Sequence, residues 1–447
     1  MTLNDWINNL LPLNKNIEWK KTLNDSSSPF RYLSTERLAN LLDQLTEVDK
    51  IFENLPKYLP VLLTCGNPCI ALTQLIDFKQ EYLLNTRRDF NWDHPNVNSF
   101  LYIFGRSNFL ASRLKSNPKL ADQLLYSHFL QKQKSLEVMQ LELLKRIKDQ
   151  GDLSLNEFKN TLRIYKYEEY LRITVRDLAQ ICSLKETLYE LSSLAVCNLR
   201  TILSAITRYE FGIKKFLINQ TNIFDKRISE DSFKTSRDLQ QSQSLPFMIL
   251  GMGKLGGFEL NYSSDVDLIF IHNNEPLTGD LELDYKLRIK SAKILIDVMT
   301  DLSEEGFLAR VDMRLRPGGD RASLVQSIDE IEYYYSASGE LWERLALIKA
   351  NPVAGIDELG KDFMSMISPF VYRSLLDETV IQDVEKVKKR IENEHLKESF
   401  LNVKLGVGGI REIEFFVQTF QLLYGGGKTE LRKTSTMEVL EELEKLE

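Results

Sequence analysis

Residues 251–270 constrain this chain more than any other stretch. They read Gly-Met-Gly-Lys-Leu-Gly-Gly-Phe-Glu-Leu-Asn-Tyr-Ser-Ser-Asp-Val-Asp-Leu-Ile-Phe. The glycines impose a tight turn carrying Lys254 between two apolar runs, 246–250 and 265–271, each of which reads as a strand. Side chains alternate along a strand, so Asp265 and Asp267 share one face and Val266, Leu268 and Phe270 the other. Two carboxylates beside a backbone rich in N–H donors suit Mg²⁺ and a polyphosphate.

The run 307–315 reads as a further strand. In it Val311, Met313 and Leu315 alternate with Asp312, and with Arg314 and Arg316 beyond. Asp312 would supply the third carboxylate to complete a two-metal site, and two guanidiniums can hold phosphate oxygens in bidentate fashion. Attack on phosphorus requires neutralisation of charge on the entering, leaving and equatorial oxygens, which carboxylate-bridged metal ions can provide. Backbone N–H groups at Gly253, Lys254, Gly256 and Gly257 are candidates to cradle phosphates, with the Ser264 hydroxyl beside them. The turn is neither a dinucleotide-binding GxGxxG nor a GK[ST] phosphate loop. The four histidines, His94, His128, His272 and His395, pair with no serine or cysteine in a nucleophile motif, so a catalytic triad is unsupported.

The rest of the chain frames this segment. A length of 447 residues implies about three modules. We expect a helical region over 1–225, a catalytic core over 226–330 and a helical domain over 331–447, an α+β, predominantly helical chain with a small mixed sheet. Leu38, Leu41, Leu42 and Leu45 follow helical spacing, and Ser154-x-x-Glu157 is a capping box opening a helix that runs through Arg172. Arg172, Arg176 and Asp177 could reach into a site, but such charges more often form a solvated face or an interhelical ion pair. The polar stretch 226–244 reads as a linker, 285–302 as a helix, and Val380, Val384, Val387 and Ile391 as a helical stripe. Net charge is −7, which argues against a nucleic-acid partner. Cys65, Cys69, Cys182 and Cys197 lack zinc-site spacing and read as reduced thiols of a cytoplasmic protein. Neither a signal peptide nor a membrane span is expected.

The motif Gly-x-Gly-Lys-x-Gly-Gly…Ser-Asp-x-Asp-Leu-Ile-Phe resembles the nucleotidyltransferase superfamily that includes DNA polymerase beta. More closely, the chain resembles the glutamine synthetase adenylyltransferase/adenylyl-removing family. The likeness extends to Leu171-Arg172-Ile173, Val175-Arg176-Asp177-Leu178-Ala179, Trp342-Glu343-Arg344, Ile348-Lys349-Ala350, Pro352-Val353-Ala354-Gly355 and Lys404-Leu405-Gly406. It continues through Gly408-Gly409-Ile410-Arg411-Glu412-Ile413-Glu414-Phe415. After Arg316-Pro317 this chain has Gly-Gly-Asp-Arg-Ala-Ser-Leu-Val, where that family more often has a bulky residue and Gly-Pro.

This resemblance implies a polymerase-beta-like core flanked by helical modules, with Asp265, Asp267 and Asp312 holding two Mg²⁺ ions. It implies Arg314, Arg316 and Lys349 at phosphate oxygens, and Lys254, the glycines and Ser264 at the nucleotide. Such proteins carry two catalytic halves, one attaching AMP to a tyrosine of glutamine synthetase and one removing it by phosphorolysis to give ADP. Glu-Leu-Asn-Tyr-Ser-Ser-Asp, the Tyr333-Tyr334-Tyr335 run and Trp-Glu-Arg look more like the N-terminal, AMP-removing half. The implied partners are glutamine synthetase, the PII signalling protein, orthophosphate and ADP or ATP, in the control of nitrogen assimilation. ATP-dependent adenylylation, a nucleic-acid nucleotidyltransferase and a regulatory module without its own activity stay open as alternatives.

Overall fold

Residues 247–252 carry no charge and form the middle of a mixed sheet in the computed structural model of this protein. The structure describes residues 19–24, 35–46, 49–126, 130–151, 153–208, 247–275, 280–373, 381–382, 384–386, 389, 402–404, 406 and 408–445. The expected linker at 226–244 and most of the stripe through Val380, Val387 and Ile391 lie outside the described residues. Two compact units emerge, one of residues 1–134 and 165–187, the other of 135–164 and 188–447. They cut the chain differently from the three segments drawn above, because residues 135–164 and 188–208 belong with the sheet.

The first unit is helical. It contains α1 (Trp19–Asn24), α2 (Thr35–Thr46), α3 (Asp49–Thr64), α4 (Pro68–Thr86), α5 (Asn98–Arg106), α6 (Asn108–Ser116) and α7 (Leu120–Leu125). Leu38 and Leu42 are buried on α2, as their spacing requires. Asn67 caps α4 by accepting from the Ile70 N–H, and Pro68 occupies the first turn, where its missing N–H does no harm. The core is aromatic: Phe90 packs edge-on against Phe78 at 5.3 Å and Trp92 at 4.8 Å.

Next along the chain come α8 (Leu136–Asp149), of the second unit, and α9 (Leu155–Leu178) and α10 (Leu184–Arg208), whose residues are divided between the two. The Ser154–Glu157 capping box is formed: Ser154 N–H donates to Glu157 Oε2 at 2.8 Å, and Glu157 N–H to Ser154 Oγ at 3.3 Å. Within the first unit, Arg172 is buried and pairs with Glu169, which also takes Lys134 at 2.7 Å. Arg176 is buried too, donating to the Leu130 carbonyl and lying 3.5 Å from Glu186. Arg176 thus reaches across to the next helix, whereas the Glu169 partner of Arg172 lies one turn away on the same helix, and neither arginine forms a solvated face.

The second unit is built on five strands: β1 (Met248–Gly251), β2 (Val266–His272), β3 (Val311–Asp312), β4 (Val325–Ser327) and β5 (Asn351–Ala354). β1 runs antiparallel to both β2 and β5. Along its other edge β2 pairs in parallel with β3 near its start and with β4 near its end. The helices of this unit include α11 (Gly253–Gly256), α12 (Leu281–Thr300), α13 (Ile328–Ser338), α14 (Leu341–Leu347) and α15 (Asp357–Val371), followed by α16 (Ile410–Tyr424) and α17 (Thr436–Glu444). Met248, Leu250, Met252, Ile269 and Ile271 form one core with Ile331, Tyr335, Leu345, Phe363 and Ile367. Ile269 and Ile271 share a strand face with Asp267, so the carboxylate lies at the margin of a roofed, apolar surface.

The expected strand at 307–315 shrinks to Val311–Asp312, because Arg314 N–H folds back onto the Asp312 carboxylate and turns the chain. β4 and β5 fall in stretches expected as loop or helix. Pro352 hides β5 in the sequence, yet a proline is tolerated there because β5 ends the ladder and needs donors on one side only. Among the described residues no helix is long and apolar enough to cross a membrane, and Cys65, Cys69 and Cys182 are free thiols.

Candidate active site

Asp267 is the second residue of β2 and Asp312 the second of β3, and they are register partners across the parallel ladder. Asp265 stands just before β2, exposed at the strand's mouth. The structure thus brings the three expected carboxylates to one end of the sheet. Their environments differ. Arg310 Nε donates to Asp265 Oδ1 while its Nη2 holds the Ser263 carbonyl at 2.7 Å. Arg314 clasps Asp312 through Nε at 2.9 and 3.0 Å and through its backbone N–H at 2.8 Å. That hydrogen bonding holds the Asp312 carboxyl below the usual range.

Asp267 behaves oppositely. Burial first, then the negative charges of Asp312 and Asp265, push its carboxyl up to about 7. Arg314 and Lys404 offset this only in part. An inward carboxylate crowded by two others is what a divalent cation relieves, and all three groups are hard oxygen donors. Charge and donor chemistry therefore fit Mg²⁺. Among the described residues, however, no three His, Cys, Asp or Glu side chains are preassembled as a metal cage, since Asp265 and Asp312 face their arginines.

The glycine turn meets this cluster directly. Met252 N–H donates to the Asp267 carbonyl at 2.9 Å. Gly253 has φ +52°, and a Cβ there would lie 2.8 Å from Asp267 Oδ2, so only glycine lets the turn pass the carboxylate. Gly253 and Lys254 form the first residues of α11, beside Asp267. Gly256 and Gly257 do not present their N–H groups outward: these donate to the Met252 and Gly253 carbonyls at 3.1 Å each. The two glycines serve close packing instead, since a Cβ on Gly256 would come 1.7 Å from the Lys349 carbonyl oxygen and one on Gly257 3.0 Å from that of Thr434.

The remaining expected residues divide. Ser264 Oγ donates to Asn261 Oδ1 at 2.8 Å within the turn leading to Asp265. Arg316 is turned into its own loop, donating to the Met313 carbonyl at 2.6 Å, and is nearly buried. Lys349 is also buried, with its ammonium on Glu259 Oε2 at 2.5 Å and Thr436 Oγ1 at 2.8 Å. Its ammonium is thus engaged by Glu259 and Thr436. Three residues of the neighbourhood escape the sequence reading. Arg310 shares the alternation that singles out Asp312 and Arg314, so the pattern already contains it. Lys404, whose charge acts on Asp267, is brought in by tertiary structure, and Glu259, though inside the glycine motif, meets Lys349 and Thr436 only in space.

Comparisons with known proteins place the chain in a family. The family described as glutamate-ammonia ligase adenylyltransferase matches residues 97–366. Residues 380–447 match the family described as GlnD PII-uridylyltransferase. Relatives named bifunctional glutamine synthetase adenylyltransferase/adenylyl-removing enzyme include that of Shewanella oneidensis, 33% identical over 76% of this chain and 34% of its own length. That of Nitrosococcus oceani is 38% identical over 64% of this chain and 28% of its own length. That of Pseudomonas aeruginosa is 33% identical over 79% of this chain and 34% of its own length. The chain spans about a third of the length of these relatives. With the first of these families matching more than half of its residues, the chain belongs to the glutamate-ammonia ligase adenylyltransferase family.

Proposed function

We propose that this chain removes AMP from an adenylylated tyrosine of glutamine synthetase by Mg²⁺-dependent phosphorolysis, releasing ADP. The observation that carries the reading is the half-buried Asp267 carboxylate crowded by Asp265 and Asp312 beside the glycine turn. Direction is supported by the segments around Tyr262 and Tyr333 and by the Trp342-Glu343-Arg344 run, which resemble the AMP-removing half.

Orthophosphate is already anionic near neutral pH, so the site needs no strong base. One of its oxygens forms a bond to the AMP phosphorus as the bond from phosphorus to the tyrosine oxygen breaks. The phenolate leaves with the electron pair and takes up a proton. Asp265, Asp267 and Asp312 would hold Mg²⁺, which when bound neutralises charge on the phosphoryl oxygens. Arg310 and Arg314 would exchange carboxylate for phosphate oxygens, a trade their forked donors suit. Gly253 and Lys254 would face the nucleotide, with Ser264 supporting the turn. Glutamine synthetase as protein substrate, and PII as effector at residues 380–447, are supported by the names of the relatives and of the second matching family.

Asp265→Asn is expected to lower phosphate-dependent ADP release from adenylylated glutamine synthetase on the order of 100-fold or more, with the thermal transition preserved. Near-normal release would sink the assignment. The relatives' names carry both activities, so the forward reaction is the second reading. Transfer of label from ATP to unmodified glutamine synthetase would select it, and absence of either reaction would leave a regulatory module.

A further inference from the structure

Glu259 lies three positions past the α11 helix and is largely buried, yet its carboxylate is saturated from distant parts of the second unit. Oε2 accepts from Lys349 Nζ at 2.5 Å and Thr436 Oγ1 at 3.2 Å. Oε1 accepts from Ser435 Oγ at 3.0 Å and the Met437 N–H at 3.3 Å. Glu259 is thus the anion at the N-terminus of α17, where a negative charge is favoured. Lys349 adds a contact 3.6 Å from Glu414 on α16.

The same cluster grips the glycine turn twice more. Lys349 presses its carbonyl onto Gly256, with no room for a Cβ. The Glu259 N–H donates to the Lys254 carbonyl at 2.8 Å, so side chain and backbone of one residue join α17 to α11. At its other end α11 touches Asp267 through Gly253. A buried ion pair adds little stability over an apolar replacement of equal volume, so its expected use is to fix one geometry.

We propose that Glu259, with Lys349 and Thr436, is a positioning residue: it couples the α16–α17 helix pair to the glycine turn and so sets the placement of Asp267. The inference rests on the reading of Asp267 as part of a catalytic site. Neither Glu259 nor Lys349 reaches substrate; both act through α11. Occupancy of the α16–α17 surface would then alter the site without touching it.

The test compares the full chain with Glu259→Gln, Thr436→Val and Thr436→Ser, measuring amide hydrogen exchange over 251–260, Mn²⁺ affinity by EPR and turnover. The proposal expects exchange in that peptide to quicken about tenfold in Glu259→Gln and Thr436→Val. It expects Mn²⁺ affinity and kcat to drop severalfold, KM for protein substrate to hold, and Thr436→Ser to restore wild-type values. Exchange and Mn²⁺ affinity unchanged in Thr436→Val would overturn it, even if Glu259→Gln fails to fold. If wild type releases no ADP, the function proposed above fails, while exchange and Mn²⁺ binding still decide this inference.

Discussion

Asp267 shows how a single carboxylate can be costly to the fold. Its pKa is raised from the ordinary 3.8 to about 7 by burial and by the charges of Asp312 and Asp265. A carboxyl raised in the folded state contributes stability below its unfolded pKa and loses it as pH rises through the folded one. Between about pH 4 and 7 the metal-free protein should therefore lose stability through this group. Asp267→Asn keeps shape without charge. In EDTA it should raise Tm by a few degrees at pH 8 and leave it little changed at pH 4, since a tenfold change in proton affinity on folding is worth about 1.4 kcal/mol. Thermal melts at the two pH values check this, and the same variant should release no ADP. Saturating Mg²⁺ should narrow the gap at pH 8, because a bound cation stabilises the wild-type carboxylate alone.

At the scale of elements, the glycine turn is a packing device as much as a binding loop. Gly256→Ala forces a methyl to within 1.7 Å of the Lys349 carbonyl, so α11 or β5 must shift. Overpacking against backbone has few outlets, and a loss of about 3 kcal/mol is expected from chemical denaturation. Gly319, unlike Gly256, has positive φ, +58°, but nothing lies within 4 Å of its Cβ position, so Gly319→Ala should cost only about 1 kcal/mol. Equal losses would show that the turn has room that its contacts deny. Asp265 and Asp267 are legible in the sequence because the apolar run that follows them fixes the strand and its faces. Lys349 is not, because sequence places a lysine near the site but cannot say that Glu259 and Thr436 claim its ammonium. The strand through Arg316 is overread for a related reason: alternation continues in the sequence while the Asp312–Arg314 turn ends it in space.

At the scale of the whole molecule, sequence suggests a catalytic core starting near residue 226, whereas the compact unit holding the site also takes in 135–164 and 188–208. The connections are specific. Arg200 Nε donates to the Val353 carbonyl of β5 at 2.7 Å. Ser192 Oγ receives the Leu260 N–H at 3.0 Å, and Tyr189 stacks on Phe258 at 5.7 Å. Lys159 and Arg163 on α9 each reach an acidic residue of the α12 end, Asp297 and Asp301, at 2.7 Å. A cation at a helix C-terminus meets its exposed carbonyls, and Arg163 also takes the Asp301 carbonyl directly. α10 buries Leu191, Leu194, Val196, Leu199, Ile202 and Leu203 as well. Each such side chain is worth about 1.5–3 kcal/mol when buried, so losing the helix removes an amount comparable with the whole stability of a domain, about 5–15 kcal/mol. Residues 226–447 expressed alone should therefore lack a cooperative thermal transition by circular dichroism, whereas the full chain keeps one. A sharp transition in that fragment would mean that α9 and α10 are accessories to the sheet rather than part of its fold.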